Sequence, residues 1–135
     1  RNASILIMPV TESNRDYRAS QHLHNALRDR LNPNGMPIDP FYKLQVDLSQ
    51  NLGSIAADLN DETRRKFIEV RAVSKLINAR NGRTLYTTNA IARLHFDVFN
   101  KNYDSSPAYV AAQTSALNQI ADDINRAISL RLAKI

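Results

Sequence analysis

At 135 residues the chain suffices for one domain, read as spanning 1–135, with a core of two packed layers. Its 43% apolar and 23% charged residues are an ordinary globular balance, and no run approaches the roughly 18 apolar residues of a membrane helix. Cysteine is absent, which excludes disulfides, thiolate chemistry and cysteine-ligated metals, and the net charge of +5 favours an anionic partner.

"SILIMPV" (4–10) is a short continuous apolar run, expected to be a strand covered on both faces and ending near Pro9. "SNRD" (13–16) fits a capping box, with Ser13 as the cap and Asp16 facing the positive end of the helix dipole. Ala19, Leu23, Leu27 and Leu31, with Ala26 beside them, make one apolar helical stripe, which "NPNGMP" (32–37) ends. "FYKLQVDL" (41–48) alternates strictly, placing Tyr42, Leu44, Val46 and Leu48 on one face of a half-buried strand. A bulge is expected around Asn51–Gly53, then a polar turn in "DLNDET" (58–63).

A third strand over about 66–78 turns Ile68, Val70, Ala72 and Leu76 inward. A fourth turns Tyr86, Ala90, Ala92, Leu94, Phe96 and Val98 inward. Both inner faces use even numbers, so a two-residue Asn81-Gly82 turn would pair inner with outer positions. A three-residue loop, Arg80-Asn81-Gly82 with Gly82 left-handed, sets Ile68 opposite Leu94 and Val70 opposite Ala92. The last helix starts at Ser106 with Pro107 in its first turn, and its stripe is Leu117, Ile120, Ile124, Ile128 and Leu132. Over 107–134 it spans roughly 42 Å and is expected to overhang every strand. The order β-α-β-β-β-α predicts an α+β two-layer sandwich, both helices packed on one face of a four-stranded, mostly antiparallel sheet.

Catalytic patterns are missing. His22 and His24 lie two apart on a helix, diverge, and are expected to be solvated. His95 falls on the outer face without an evident carboxylate partner. "DLNDE" (58–62) lacks the central glycine and distant glutamate of a calcium loop. The glycines are scattered, so no phosphate-cradling loop forms, and Asp122 and Asp123 diverge on a helix. The expectation is a non-enzyme with no cofactor and no metal.

Charge and the outer sheet face carry more information. Residues 61–135 hold 12 basic and 7 acidic side chains, whereas 1–60 hold 6 of each. Between 64 and 83, Arg64, Arg65, Lys66, Arg71, Lys75, Arg80 and Arg83 face a single acid, Glu69. That density suits an anionic partner, or a solvated strand edge. Odd positions put Phe67, Val73, Ile77, Leu85 and Ile91 among Arg71, Lys75, Arg93 and His95. Such a face fits a partner surface or a phosphorylated amphiphile, or is a free face with scattered apolar residues.

Three stretches carry a resemblance. They are "ILIMPV" with "QHLHNALRDRLNPNGMPIDPFYKLQVDL" (21–48), "VSKLINARNGRTLYTTNAIARLHFDVF" (73–99) and "NYDSSPAYVAAQTSALNQIADDINRAISLRL" (102–132). In order and spacing, over nearly the whole chain, they resemble the outer-membrane lipopolysaccharide-assembly lipoproteins of the LptE type, particularly alphaproteobacterial ones. The resemblance implies a lipid-anchored, non-enzymatic protein on the periplasmic side of the outer membrane. It would plug and assemble a β-barrel translocon of the LptD type and bind lipopolysaccharide during delivery to the cell surface. The family's acylated cysteine is not among these residues, so an anchor ahead of Arg1 is only implied. The family's basic lipopolysaccharide-binding loops find no clean positional match. The nearest cations are Arg64, Arg65 and Lys66 before the third strand and Lys101 after the fourth, with Tyr103 beside it. The implied barrel interface is Phe67, Arg71, Val73, Lys75, Ile77, Leu85, Ile91 and Arg93.

The alternative is a small basic α+β module that binds nucleic acid through the same hairpin. Against it, Phe67 has no matching aromatic on the fourth strand, so base stacking finds a poor platform and no nucleic acid is expected. A secretory signal ending in a lipobox cysteine would separate the two readings.

Overall fold

The computed structural model describes residues 4–54, 64–98 and 106–134. Along the chain run β1 (Ile5–Ile7), β2 (Thr11–Glu12), α1 (Tyr17–Leu31), β3 (Tyr42–Ser54), β4 (Arg64–Asn78), β5 (Thr84–Val98) and α2 (Pro107–Ala133). The sheet order is β1-β3-β4-β5, with β2 also beside β3. β1 and β2 run parallel to β3, and the two remaining pairings are antiparallel. The α+β sandwich is therefore as expected, but "SILIMPV" supplies an edge strand rather than an interior one. Only Ile5 and Ile7 of β1 are buried. The pairing slips by one residue between Ile7↔Leu44 and Thr11↔Asp47, across Pro9, which has no N–H to offer.

The start of α1 also differs. The Ser13 amide donates to Leu48 O at 3.1 Å, so Ser13 still belongs to the edge track. Glu12 Oε1 then accepts from the amides of Asn14 and Asp16, and Asp16 caps the helix by accepting from Ala19 N at 3.1 Å. Burial works to raise the Asp16 pKa. The bond from Ala19 N, those from Gln50 and Gln113, and the nearby Arg18 charge outweigh burial and hold it below the usual carboxylate value. The two histidines are half-buried rather than free in solvent: His22 Nε2 meets Asn118 on α2 at 2.9 Å, and His24 Nε2 meets Ile7 O at 3.3 Å. Their divergence is as the spacing required.

β3 pairs with β4 without interruption from Tyr42↔Asn78 to Ser54↔Lys66, so the bulge expected at Asn51–Gly53 does not form. In the next hairpin Ile68 lies opposite Leu94 and Val70 opposite Ala92, as parity demands. The route there differs. Asn78 N donates to Arg83 O at 2.8 Å, closing a loop over 79–82, and the register slips by one at Leu85. Asn78 Oδ1 accepts from the amides of Arg80 and Asn81 inside that loop, and Gly82 supplies its left-handed residue at φ +74°. An even loop plus one bulged residue gives the same parity as an odd loop.

Both helices cover the even-numbered face. Leu23 and Leu27 of α1, and Leu117, Ile120, Ile124 and Ile128 of α2, are buried with Leu44, Val46, Ile68, Val70 and Leu76. Ser106 caps α2 and Pro107 opens it, as expected. α2 does not outrun the sheet, because β4 and β5, of 15 residues each, extend about 50 Å against about 40 Å for the helix. Where α1, α2 and β3 meet, Gln113 is fully buried and donates to Asp16 Oδ2 at 3.0 Å and Gln50 Oε1 at 2.7 Å. Arg18 donates back to Gln113 Oε1. This closed network fixes the start of α2 over the sheet.

Candidate interaction surface

The odd-numbered face of β3, β4 and β5 has no helix over it among the described residues. β4 runs through its centre, so its side chains meet neighbours from two strands. Gly53↔Phe67↔His95 forms one row, Asn51↔Glu69↔Arg93 the next, then Ser49↔Arg71↔Ile91 and Asp47↔Val73↔Asn89.

Phe67 lies flat across Gly53. A Cβ on Gly53 would sit 2.4 Å from the Phe67 ring, so the glycine leaves the space the ring occupies. The guanidinium of Arg93 stacks over that ring at 3.8 Å from its centroid, and His95 meets it edge-on. Glu69 accepts from Arg71 Nε at 2.8 Å and lies 3.5 Å from Arg93 Nε. Its side chain is 15% exposed, against 57% for Arg71 and 50% for Arg93. One shielded carboxylate thus holds two guanidinium groups flat on the sheet. Sequence reading identified these cations but missed their organisers, Glu69 and Gly53. The single acid in a basic stretch was the available signal.

Beside this charged end, Val73 and Ile91 are exposed and stand diagonally across β4 and β5. Ile77 pairs with Lys43, and Lys75 lies between Gln45 and Thr87; both are half-buried. Leu85 departs from the expected arrangement. It is the bulged residue at the sheet edge, and its carbonyl accepts from Arg131 of α2 at 3.5 Å.

The basic group at the far end of the hairpin is less unified than the sequence implied. Arg65 pairs with its cross-strand partner Asp97 at 3.2 Å. Lys66, one residue on, belongs to the opposite face and donates to Ser54 Oγ at 2.8 Å. Arg64 pairs through its backbone with Val98, so the chain leaving β5 does start beside it. Lys101 and Tyr103 lie outside the described residues. Among the described residues no three His, Cys, Asp or Glu side chains converge to hold a metal, and no helix is long and apolar enough to cross a membrane.

No protein-family model and no curated protein matches the chain. Solved structures do. A protein from Caulobacter crescentus named as a lipoprotein superimposes with a TM-score of 0.65 at 20% identity, over 97% of this chain and 92% of its own. A minor lipoprotein from Acinetobacter baumannii gives 0.65 at 14%, over 96% and 94%. Rare lipoprotein B from Shewanella oneidensis gives 0.59 at 13%, over 95% and 97%. At these identities the likeness is one of fold: along almost its whole length the chain has the fold of these bacterial lipoproteins.

Proposed function

We propose that the chain is a non-enzymatic, lipid-anchored subunit on the periplasmic side of the outer membrane. It seats its odd-numbered sheet face against a β-barrel translocon of the LptD type and binds lipopolysaccharide during delivery to the cell surface. The observation that carries the reading is the uncovered face itself. Val73 and Ile91 stand exposed beside Arg71 and Arg93, whose guanidinium groups share the Glu69 carboxylate, so docking there desolvates one net positive charge rather than two. The nucleic-acid alternative gains nothing, because Phe67 is covered by Arg93 on one side and lies on Gly53 on the other, leaving no free ring face for a base.

Anchoring has local support. Ser4 O accepts from the amides of Phe41 and Tyr42, and Asn32 donates to Ile5 O, so the loop 32–41 hangs beside the first described residues. That loop exposes Met36, Ile38 and Phe41, with Arg80 stacked on Phe41. Apolar side chains fringed by a cation suit the interface of an anionic membrane.

The barrel interface is tested by Ile91→Asp, which should leave the domain folded and weaken co-purification with the barrel. Unchanged yield would contradict it. For lipopolysaccharide, the candidate end carries Arg64, Arg65 and Lys66, and Lys101 and Tyr103 follow β5 in the sequence. Lipid A phosphates would take charge-assisted bonds there. Glutamate at both Arg65 and Lys101 should lower lipopolysaccharide affinity at unchanged melting temperature. The control replaces Arg28 on α1 and Arg83 at the opposite end of the hairpin. If it weakens binding equally, the attraction is net charge alone.

A further inference from the structure

The two edges of the sheet are finished differently. At the β1 edge the strand is three residues long and Pro9 follows it. Two of its carbonyls are taken by side chains of α1 and its C-cap, Ile5 O by Asn32 and Ile7 O by His24. These are the usual defences against further strand pairing.

The β5 edge has almost none of them. β5 is 15 residues long, ends the strand order, and along "TLYTTNAIA" (84–92) carries no charge, no proline and no glycine. Alternate N–H and C=O groups of such a strand point away from β4 and await partners. Thr, Tyr and Ile are residues that suit pairing. The one irregularity, at Leu85, lies at the start of the strand, where the Leu85 carbonyl accepts from Arg131 at 3.5 Å, so the open part of the edge begins at Tyr86. Beside this stretch runs a groove of about 480 Å³ between β5 and the last turns of α2. Tyr86, Thr88 and Ala90 form its strand wall, and Ala127 and Leu130 its apolar helix wall. Arg126, Arg131 and Lys134 flank it against a single acid, Asp123, which is paired with Arg126 at 3.1 Å.

We propose that the free edge of β5 over residues 86–92 accepts an extended acidic segment of a partner protein as an additional strand, its groove-facing side chains meeting Arg126, Arg131 and Lys134. Main-chain hydrogen bonds to the edge would provide affinity, and the alternation of side chains would direct every second residue into the groove. Charge selects the occupant. A second copy pairing β5 with β5 would bring both sets of Arg126, Arg131 and Lys134 to one seam, where like charges repel. An acidic strand meets the same cations favourably. This surface is an edge, distinct from the sheet face proposed to meet the barrel, and stands without that proposal.

The test uses the whole chain and three synthetic peptides of about ten residues, long enough to span the open stretch. One alternates glutamate with valine or threonine, one has lysine for each glutamate, and one is the acidic peptide with two central prolines. Fluorescence anisotropy should show binding of the acidic peptide. The lysine and proline peptides should each be at least about tenfold weaker. Amide exchange should slow within 86–92 on binding. Arg126→Glu with Arg131→Glu should remove binding of the acidic peptide and leave the melting temperature within a few degrees. Equal binding of the proline peptide would overturn strand addition. Binding with no slowing of exchange in 86–92 would overturn the site. Self-association of the free chain that protects the same amides would assign the edge to a second copy instead.

Discussion

Single residues carry more of this structure than their types announce. Asp16 caps α1 and at the same time accepts from Gln50 and the buried Gln113. Replacing it with alanine removes a cap and the charged acceptor shared by Gln50 and Gln113, while Gln113 keeps Gln50 Oε1 and the Tyr109 hydroxyl, so Asp16→Ala should cost about 1–2 kcal/mol in denaturant unfolding. Because its folded pKa is depressed, its stabilisation is complete above the ordinary carboxylate value of 3.8 and is lost as pH falls through the folded pKa. Wild type should therefore lose part of its stability below about pH 4 that Asp16→Ala never had. A stability gap that does not narrow in acid would contradict this. At Gly53 the added methyl of alanine must displace the Phe67 ring from beneath Arg93. Gly53→Ala should cost about 1 kcal/mol alone and little or nothing in a Phe67→Ala background. Additive costs would show that the ring does not depend on the glycine. Ser74 is fully buried and its hydroxyl has no partner, so Ser74→Ala should be neutral or stabilise slightly.

At the scale of elements, parity decided what the sequence could reveal. Leu44, Val46, Leu48, Ile68, Val70, Ala72, Ala90 and Ala92 share one face because a period of two leaves no other arrangement once two helical stripes need covering. The same argument set the body of the β4–β5 hairpin correctly while misplacing its turn, since a bulge at Leu85 and an odd loop are equivalent in parity. The edge position of β1 was illegible, because Leu6 and Met8 make a half-exposed strand look continuously apolar. The Asp16–Gln50–Gln113 junction was illegible for another reason: its members are 34 to 97 residues apart and only the packed fold brings them together. Of the candidate surface, the sequence located the outer face and its cations but not Glu69 and Gly53, whose roles follow from cross-strand pairing. Packing energetics follow the same division. Ile124 is fully buried and Leu94 only partly, so Ile124→Ala should cost about 2–5 kcal/mol and Leu94→Ala clearly less. Equal costs would mean that α2 sits differently over β5.

Among the described residues of the whole molecule, the sheet has one face covered by both helices and one bare face. A two-layer sandwich this size can bury its core without help, so the apolar side chains at Val73 and Ile91 are not required by folding. The loop 32–41 and the first residues of β1 occupy one end, and the cationic start of β4 the other. A chain anchored at the first end would hold the outer face along the membrane normal, where a barrel wall or lumen could receive it. On the proposed function, this face and not the helical layer meets a barrel. The most direct measurement is photo-crosslinking in the native bacterium, with a photoreactive residue placed singly at Val73, Ile91, Gln119 or Ser129. The last two are exposed on α2, on the opposite side of the molecule. Adducts to an outer-membrane β-barrel protein should form from Val73 and Ile91 and be absent from Gln119 and Ser129. Adducts of equal yield from both layers, or from the helix alone, would contradict the account.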